Sequence, residues 1–534
     1  MPYYTSTEMK AELDNFIPFR TFLYRRGFII TTDFNIETND YPFYNNWEKR
    51  VISKGYYLYL HKDNYFYSKV NNGVIHFIVG HAYDPYNNLA NEDDILVHLG
   101  DALSKSLDDY WKEEGNLTGV FCIGFIKNDL LTYAVDCCGM QIVYYCVSNG
   151  NLYLTSHSKL IADLLGFEQD PYIKRLVNRK LFKYWGRWLP GDLSPYKELK
   201  RTQPNFYMKY HRQKKKFAFR RFYPIDAISE VTSDEEYFNL IHELGSIIHS
   251  SLELMLKKWP DKKIAISVTG GHDSKTTLSC ANGLYDQFMF FSYISNIPES
   301  VDADAAERIC KAIGIPHTLV NIPDESADYE HLELFRKILM YNHGCIRLNN
   351  LNDAKKRLYF CLHPQFDIEV KSWVNEMGRG WYYNKYQKKN FPKRPTARYW
   401  RTMQKVYVEP RILHETTKVF ERYLKRYYSE EVFSKISWLD LYFWEFSWSG
   451  LEALALTSEH KVSYDITIPY NNRRYIETML RLPLKKRIAE EMPRDIVKER
   501  NPEITNTGIS IKDIEHTDNR ARLIRAYLEI FSKI

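Results

Sequence analysis

The chain has 534 residues, more than one ordinary hydrophobic core supports, so about two to four domains are expected. An apolar fraction of 44% and an aromatic fraction of 15% exclude wholesale disorder. A formal charge of +6 is thinly spread for a dedicated nucleic-acid binder, and no run of about 18 apolar residues exists to span a membrane.

The eight cysteines are scattered without a paired CxxC spacing, so they read as reduced, buried thiols rather than a zinc site. The N-terminal Met1-Pro2-Tyr3-Tyr4 lacks the profile of a signal peptide, and the expected location is cytoplasmic.

The first 200 or so residues carry short apolar runs separated by turn residues. Gly55–His61, Asn64–Lys69, Gly73–Val79, Gly119–Ile126, Leu130–Val135, Ile142–Val147 and Leu152–Thr155 read as strands. Helical patterns lie at Asp93–Trp111 and Ser158–Leu165. A hairpin, Asn205–Tyr210 with Lys216–Phe222, closes this antiparallel α+β part, and its Lys214-Lys215-Lys216 run reads as a solvated turn. The domain boundaries are placed at 1–223 and 232–534.

The second part changes period. Ser233-Asp234-Glu235-Glu236 is a capping box opening an amphipathic helix with a stripe of Tyr237, Leu240, Ile241, Leu244, Ile247, Ile248 and Leu252. Strand runs at Ile264–Val268, Phe288–Ile294 and His317–Ile322 alternate with helices from Ser274 and over Asp302–Ile313. That spacing predicts a parallel sheet wrapped by helices, with mostly helical chain from about residue 326 onward.

Val268-Thr269-Gly270-Gly271-His272-Asp273-Ser274-Lys275 falls between the first of these strands and its helix. Paired glycines bring backbone N–H groups close to a ligand, and the helix N-terminus favours an anion. Thr269 and Ser274 can add hydroxyl donors, Lys275 a cation, and Asp273 a ligand for Mg²⁺ bridging to a nucleotide. The loop is neither a Walker A motif nor Gly-x-Gly-x-x-Gly. His272 reads as loop packing.

Thr269-Gly270-Gly271-His272-Asp273-Ser274 resembles the Ser-Gly-Gly-x-Asp-Ser pyrophosphate loop of asparagine synthetases and their ATP-pyrophosphatase relatives. Phe291-Ser292 is similar to the adenine-side position of that family. Asp302, Ala306, Cys310, Gly314 and His317 fall at the spacing of its following helix and strand. Asp440–Trp444, Ile468-Pro469-Tyr470-Asn471-Asn472 and Leu482-Pro483 resemble later segments. In the first half, Leu117–Phe121, Asp136–Gly139, Tyr144-Tyr145, Leu189–Asp192 and Gln203–Asn205 resemble the glutamine-amidotransferase domain.

The resemblance implies an Ntn-hydrolase-like antiparallel sandwich. It also implies a doubly wound parallel sheet of the adenine nucleotide α-hydrolase type with a helical C-terminal part. It implies ATP and Mg²⁺ as cofactors, with Thr269, Gly270, Gly271, Asp273, Ser274, Lys275, Ser292 and Gly378 on the nucleotide.

The sequence departs from the family in three places. Pro2 stands where glutamine-using members expose a nucleophilic Cys, so glutamine hydrolysis is not expected, as in the β-lactam-forming relatives. The second acidic loop is replaced by Trp373–Trp381, in which Glu376 can join Asp273 on the metal and Arg379 can fork a phosphate or carboxylate. Arg494, with Lys498 one turn on, stands opposite the late catalytic lysine.

The implied activity is AMP-forming ligation of a small or carrier-bound carboxylate to an amine or ammonia, with Glu376, Arg379, Arg494 and Lys498 as catalytic residues. Two rivals stay open: an enzyme of the same fold that adenylates a non-carboxylate substrate, and a non-catalytic nucleotide-binding scaffold. A homodimer is compatible with either. The basic, aromatic stretch Tyr382–Arg401 reads as a solvated insertion, with an acidic glycan, a carrier or RNA as its other candidate partners.

Overall fold

The computed structural model describes residues 3–185, 188–323, 329–347, 349–404, 407–509 and 518–534, so Pro2 lies outside the described residues. Twelve antiparallel strands come first. They are β1 (Phe28–Thr31), β2 (Trp47–Ser53), β3 (Tyr56–His61), β4 (Phe66–Asn71), β5 (Val74–Tyr83) and β6 (Thr118–Lys127). They continue as β7 (Leu130–Val135), β8 (Tyr144–Ser148), β9 (Asn151–Thr155), β10 (Lys200–Arg201), β11 (Phe206–His211) and β12 (Lys216–Arg221).

They form two six-stranded sheets, ordered β10-β8-β9-β1-β3-β2 and β12-β11-β7-β6-β5-β4. Alternation of apolar residues gives each sheet one face for the other. Phe28, Ile30, Leu58 and Leu60 meet Phe77, Val79, Leu131 and Tyr133 in a shared core. The helices Glu92–Lys105 and Leu107–Glu114 cover the outer face of the second sheet through Ile95, Leu99, Tyr110 and Trp111. The single helix expected over Asp93–Trp111 is thus two, because Ser106 leaves helical geometry and caps the second by accepting from the Asp109 N–H.

The capping box opens the helix Asp234–Lys258 as expected, with Ser233 and Glu236 exchanging bonds. A five-stranded parallel sheet then forms from β13 (Ile264–Ser267), β14 (Met289–Ile294), β15 (Thr318–Asn321), β16 (Ile368–Val370) and β17 (Asp465–Thr467), ordered β15-β14-β13-β16-β17. The last two strands fall in the stretch expected to be helical. Each is three residues long and carries a buried acid, Glu369 or Asp465, so neither makes an apolar run. Those acids are tolerated because Lys371 lies 2.5 Å from Glu369 and Lys461 lies 3.6 Å from Asp465.

Buried polar contacts join the antiparallel and parallel parts. Arg473 grips Glu114 at 2.6 Å, Arg221 holds Glu445 at 2.8 Å, and Asn471 reaches the Gly119 carbonyl at 2.7 Å and Asp136 at 2.8 Å. Asp163 accepts from Ser6, Tyr24, Tyr41 and Tyr341 at 2.6–2.7 Å while Lys159 sits 3.0 Å away.

All eight cysteines are free thiols. Among the described residues no helix is long and apolar enough to cross a membrane. The basic stretch after Tyr382 is not a bare solvated insertion. Lys388 pairs with Glu529 at 3.3 Å and Arg398 donates to the Lys533 carbonyl at 2.6 Å. Arg401 is buried and donates to the Phe531 carbonyl. These residues dock the C-terminal helix Asp518–Phe531.

Candidate functional site

The strand order reverses direction between β13 and β16: β14 and β15 build outward on one side, β16 and β17 on the other. In an open parallel sheet the loops leaving two such neighbours diverge and leave a crevice beyond their carboxyl ends. Thr269–Ser274 follows β13 and Ser372–Gly380 follows β16, so both sequence-selected loops open onto that crevice.

The first loop is stapled by its own hydroxyls. Ser274 Oγ accepts from the Thr269 N–H at 3.1 Å, lies 2.8 Å from Thr269 Oγ1 and donates to the Thr269 carbonyl at 3.0 Å. Thr269 Oγ1 accepts in turn from the Gly271 N–H at 3.1 Å. Thr269 and Ser274 therefore shape the cradle rather than present their hydroxyls to a ligand, which corrects the donor role expected of them.

Gly271 has φ −74° and ψ 163°, ordinary extended backbone. Its lack of a side chain matters for room: a Cβ there would lie 3.3 Å from Thr269 Oγ1. The helix His272–Cys280 begins next, with no side-chain cap on its N-terminus. Its first-turn N–H groups have no intrahelical acceptor and carry the positive end of the helix dipole.

The second loop is held by an unusual backbone. Val374, fully buried, sits at φ 77°, and Gly380 closes the 3₁₀ turn Asn375–Arg379 at φ 58°. Positive φ in a β-branched residue is strained and persists only where surrounding packing enforces it, often beside a ligand site.

This turn faces the first loop. Arg379 Nη2 lies 2.5 Å from Asp273 Oδ2, and Asn375 Nδ2 donates to Asp273 Oδ1 at 2.9 Å. Arg379 is 1% exposed, while the Asp273 side chain keeps 19% of its surface open to solvent. Behind it, Thr277 Oγ1 meets Ser372 Oγ at 2.7 Å and Tyr470 Oη at 2.6 Å, tying the ends of β16 and β17 to the loop helix. Thr277 and Ser372 were not singled out by sequence, and Asn375 and Tyr470 lie in segments picked out there without a role of their own. Thr277 lies one helical turn beyond Asp273, which was the available signal.

Several expected site residues are used otherwise. Lys275 Nζ donates to the Ile509 carbonyl at 3.0 Å, and burial pushes its pKa down, so it anchors the C-terminal segment instead of the phosphates. Ser292 lies within β14, two residues before its end, and its hydroxyl donates to the Val268 carbonyl at 2.6 Å and lies 2.9 Å from His317 Nε2. Burial pulls the pKa of His317 down. Gly378 is a packing glycine: a Cβ would fall 2.7 Å from Met492 Sδ.

Arg494 is exposed and donates to the Ala489 and Glu490 carbonyls at 2.7 and 3.2 Å, and Lys498 is exposed on the same helix. That helix, Glu491–Arg500, packs on His272–Cys280, and His272 Nε2 lies 3.9 Å from Glu490.

Glu376 is half-buried on the Arg379 turn. The expected Asp273–Glu376 metal pair is not what the geometry presents, because guanidinium and amide donors face both Asp273 oxygens. Among the described residues no group of three or more His, Cys, Asp or Glu could hold a metal ion. Both Asp273 oxygens are thus engaged by protein donors in this structure.

No protein-family model and no curated protein matches the chain. Among solved structures, it is similar to the glutamine phosphoribosylpyrophosphate amidotransferase of B. subtilis complexed with ADP and GMP. That match has 9% identity and a TM-score of 0.22, and covers 57% of this chain and 63% of that one. It is also similar to an allosteric regulatory enzyme of purine biosynthesis, at 10% identity and a TM-score of 0.23, covering 57% of this chain and 62% of that one. The chain thus spans less than two thirds of either structure, and scores at this level do not establish a shared fold.

Proposed function

We propose that this protein is an ATP-dependent, AMP-forming ligase of the asparagine-synthetase type. The observation that carries the reading is the convergence of two loops at the sheet's switch point, with a shielded Arg379 aimed at the acid of a Gly-Gly loop on a helix N-terminus. Such a place suits a phosphate chain.

In the proposed reaction a substrate carboxylate oxygen attacks the α-phosphorus of ATP. The bond from that phosphorus to the bridging oxygen breaks, and pyrophosphate leaves into the Thr269–Ser274 cradle. An amine nitrogen then attacks the acyl carbon, AMP departs, and the amine loses a proton to solvent. Arg379 supplies fixed positive charge where negative charge gathers on the leaving pyrophosphate. The antiparallel sandwich serves as an amidotransferase-like scaffold. The nitrogen in this reading is free ammonia, a second substrate or an amine on the same molecule.

A non-catalytic nucleotide-binding role is the second reading. It is favoured by the exposure of Arg494 and Lys498 and by the commitment of Arg494 to helix-end carbonyls.

Incubation with ATP, Mg²⁺, hydroxylamine and a panel of carboxylic acids tests the proposal. The expected outcome is AMP and an acyl hydroxamate in equal amounts with at least one acid. Release of ADP in place of AMP would contradict it.

A further inference from the structure

The cradle contains its own cation. We propose that Arg379 is the resident counter-charge of this site, so that it binds pyrophosphate or a nucleotide triphosphate without requiring a divalent metal ion. The inference rests on the reading of the two loops as a phosphate cradle and names how that cradle balances charge.

Three observations carry it. First, the one acid of the loop is already matched: Asp273 Oδ2 lies 2.5 Å from Arg379 Nη2, and Oδ1 accepts from Asn375 at 2.9 Å. Magnesium demands near-ideal octahedral geometry at about 2.0–2.1 Å from its oxygens, and an ion bound to either Asp273 oxygen would sit against a guanidinium or an amide N–H. Second, among the described residues no group of three or more His, Cys, Asp or Glu gathers as an all-protein cage for the ion.

Third, Arg379 is fixed in place. It is 1% exposed and ends a turn bounded by left-handed backbone at Val374, φ 77°, and Gly380, φ 58°. A guanidinium fork can serve a carboxylate and a phosphate together. Held by Asp273, which lies in the first turn of the helix His272–Cys280, it supplies the fixed positive charge that a metal ion would otherwise bring to the anion. Asp273 is then a positioning residue for Arg379, and it competes electrostatically with the anion.

Calorimetric titration of pyrophosphate into the full chain, once in EDTA and once in excess Mg²⁺, tests this. Dissociation constants agreeing within about threefold are expected. Arg379→Gln, confirmed folded by circular dichroism, is expected to bind about 10- to 100-fold more weakly, the loss a charge-assisted bond produces. Asp273→Asn is expected to bind pyrophosphate more tightly in EDTA, because it removes the competing negative charge. In excess Mg²⁺ a metal site predicts that Asp273→Asn binds more weakly than the native chain, whereas the inference predicts that it still binds more tightly.

Affinity that rises about tenfold or more with Mg²⁺ and is lost in Asp273→Asn would overturn the inference while leaving the phosphate cradle standing. Absence of binding in both conditions would overturn the cradle as well. Should Arg379→Gln fail to fold, the metal comparison on the native chain and the sign of the Asp273→Asn effect still decide.

Discussion

Replacing Glu114 with alanine is expected to destabilise the protein by about 3–5 kcal/mol, the cost of leaving one partner of a buried ion pair uncompensated. Arg473 is 1% exposed and Glu114 fully buried, with Arg473 Nη1 lying 2.6 Å from Oε1. The guanidinium also donates to Asn205 Oδ1 at 2.9 Å and to the Val135 carbonyl at 3.1 Å. Glu114 ends a helix of the antiparallel part and Arg473 begins the helix Arg473–Leu480 beyond β17, so the pair clamps the two parts together.

The double replacement Glu114→Leu with Arg473→Met should recover most of the loss, because removing both charges also removes the penalty of burying them. Chemical denaturation of the native chain, Glu114→Ala and the double variant measures it. A Glu114→Ala loss below about 1 kcal/mol would mean that water reaches the guanidinium.

Mild acid is expected to unfold the protein, with the buried histidines as the main cause. Burial pulls the ring pKa values of His81, His157 and His343 down from 6.5 to about 3. His81 is fully buried against Trp259, with no hydrogen-bond partner at either ring nitrogen. In the unfolded chain these rings titrate near 6.5, so below that pH the unfolded state binds protons the folded state cannot. Their contribution is whole above pH 6.5 and drains away as pH falls toward 3.

At pH 4.5 each ring has cost roughly 2–3 kcal/mol, at 1.36 kcal/mol per pKa unit. The three together then rival the whole stability of an ordinary domain, about 5–15 kcal/mol. Burial pushes the carboxyls of Glu114 and Asp136 upward, which opposes the trend. Once both states hold those protons, their effect stays constant while that of the histidines continues to grow.

Circular dichroism from pH 7.5 to 3.5 should show a cooperative loss of helix between about pH 6 and 4. His81→Leu should move its midpoint to lower pH. A stability profile flat down to pH 4 would show that the rings take up protons in the folded state.

The parts of the fold legible in sequence were those with long apolar periods. Leu130–Val135 and Ser158–Leu165 fall where their alternation and periodicity put them, and the Ser233 capping box opens its helix at the expected residue. β16 and β17 were hidden because they are short and carry buried acids matched only by tertiary partners.

The site was legible to the same degree. Strand, Gly-Gly, acid and helix locate the first loop, because that signal is local. The use of each side chain is not local. Lys275 is spent on Ile509, Ser292 on Val268 and Asp273 on Arg379, partners that lie 24 to 234 positions away in the chain.

The central claim, that the crevice between β13 and β16 cradles the pyrophosphate of ATP during adenylation, is tested most directly by exchange of radiolabelled pyrophosphate into ATP. The account predicts exchange that appears only when a suitable carboxylic acid is present, needs no amine, and falls about tenfold or more in Arg379→Gln. Absence of exchange across a broad acid panel, from a protein that binds ATP, would contradict it and leave a nucleotide-binding scaffold.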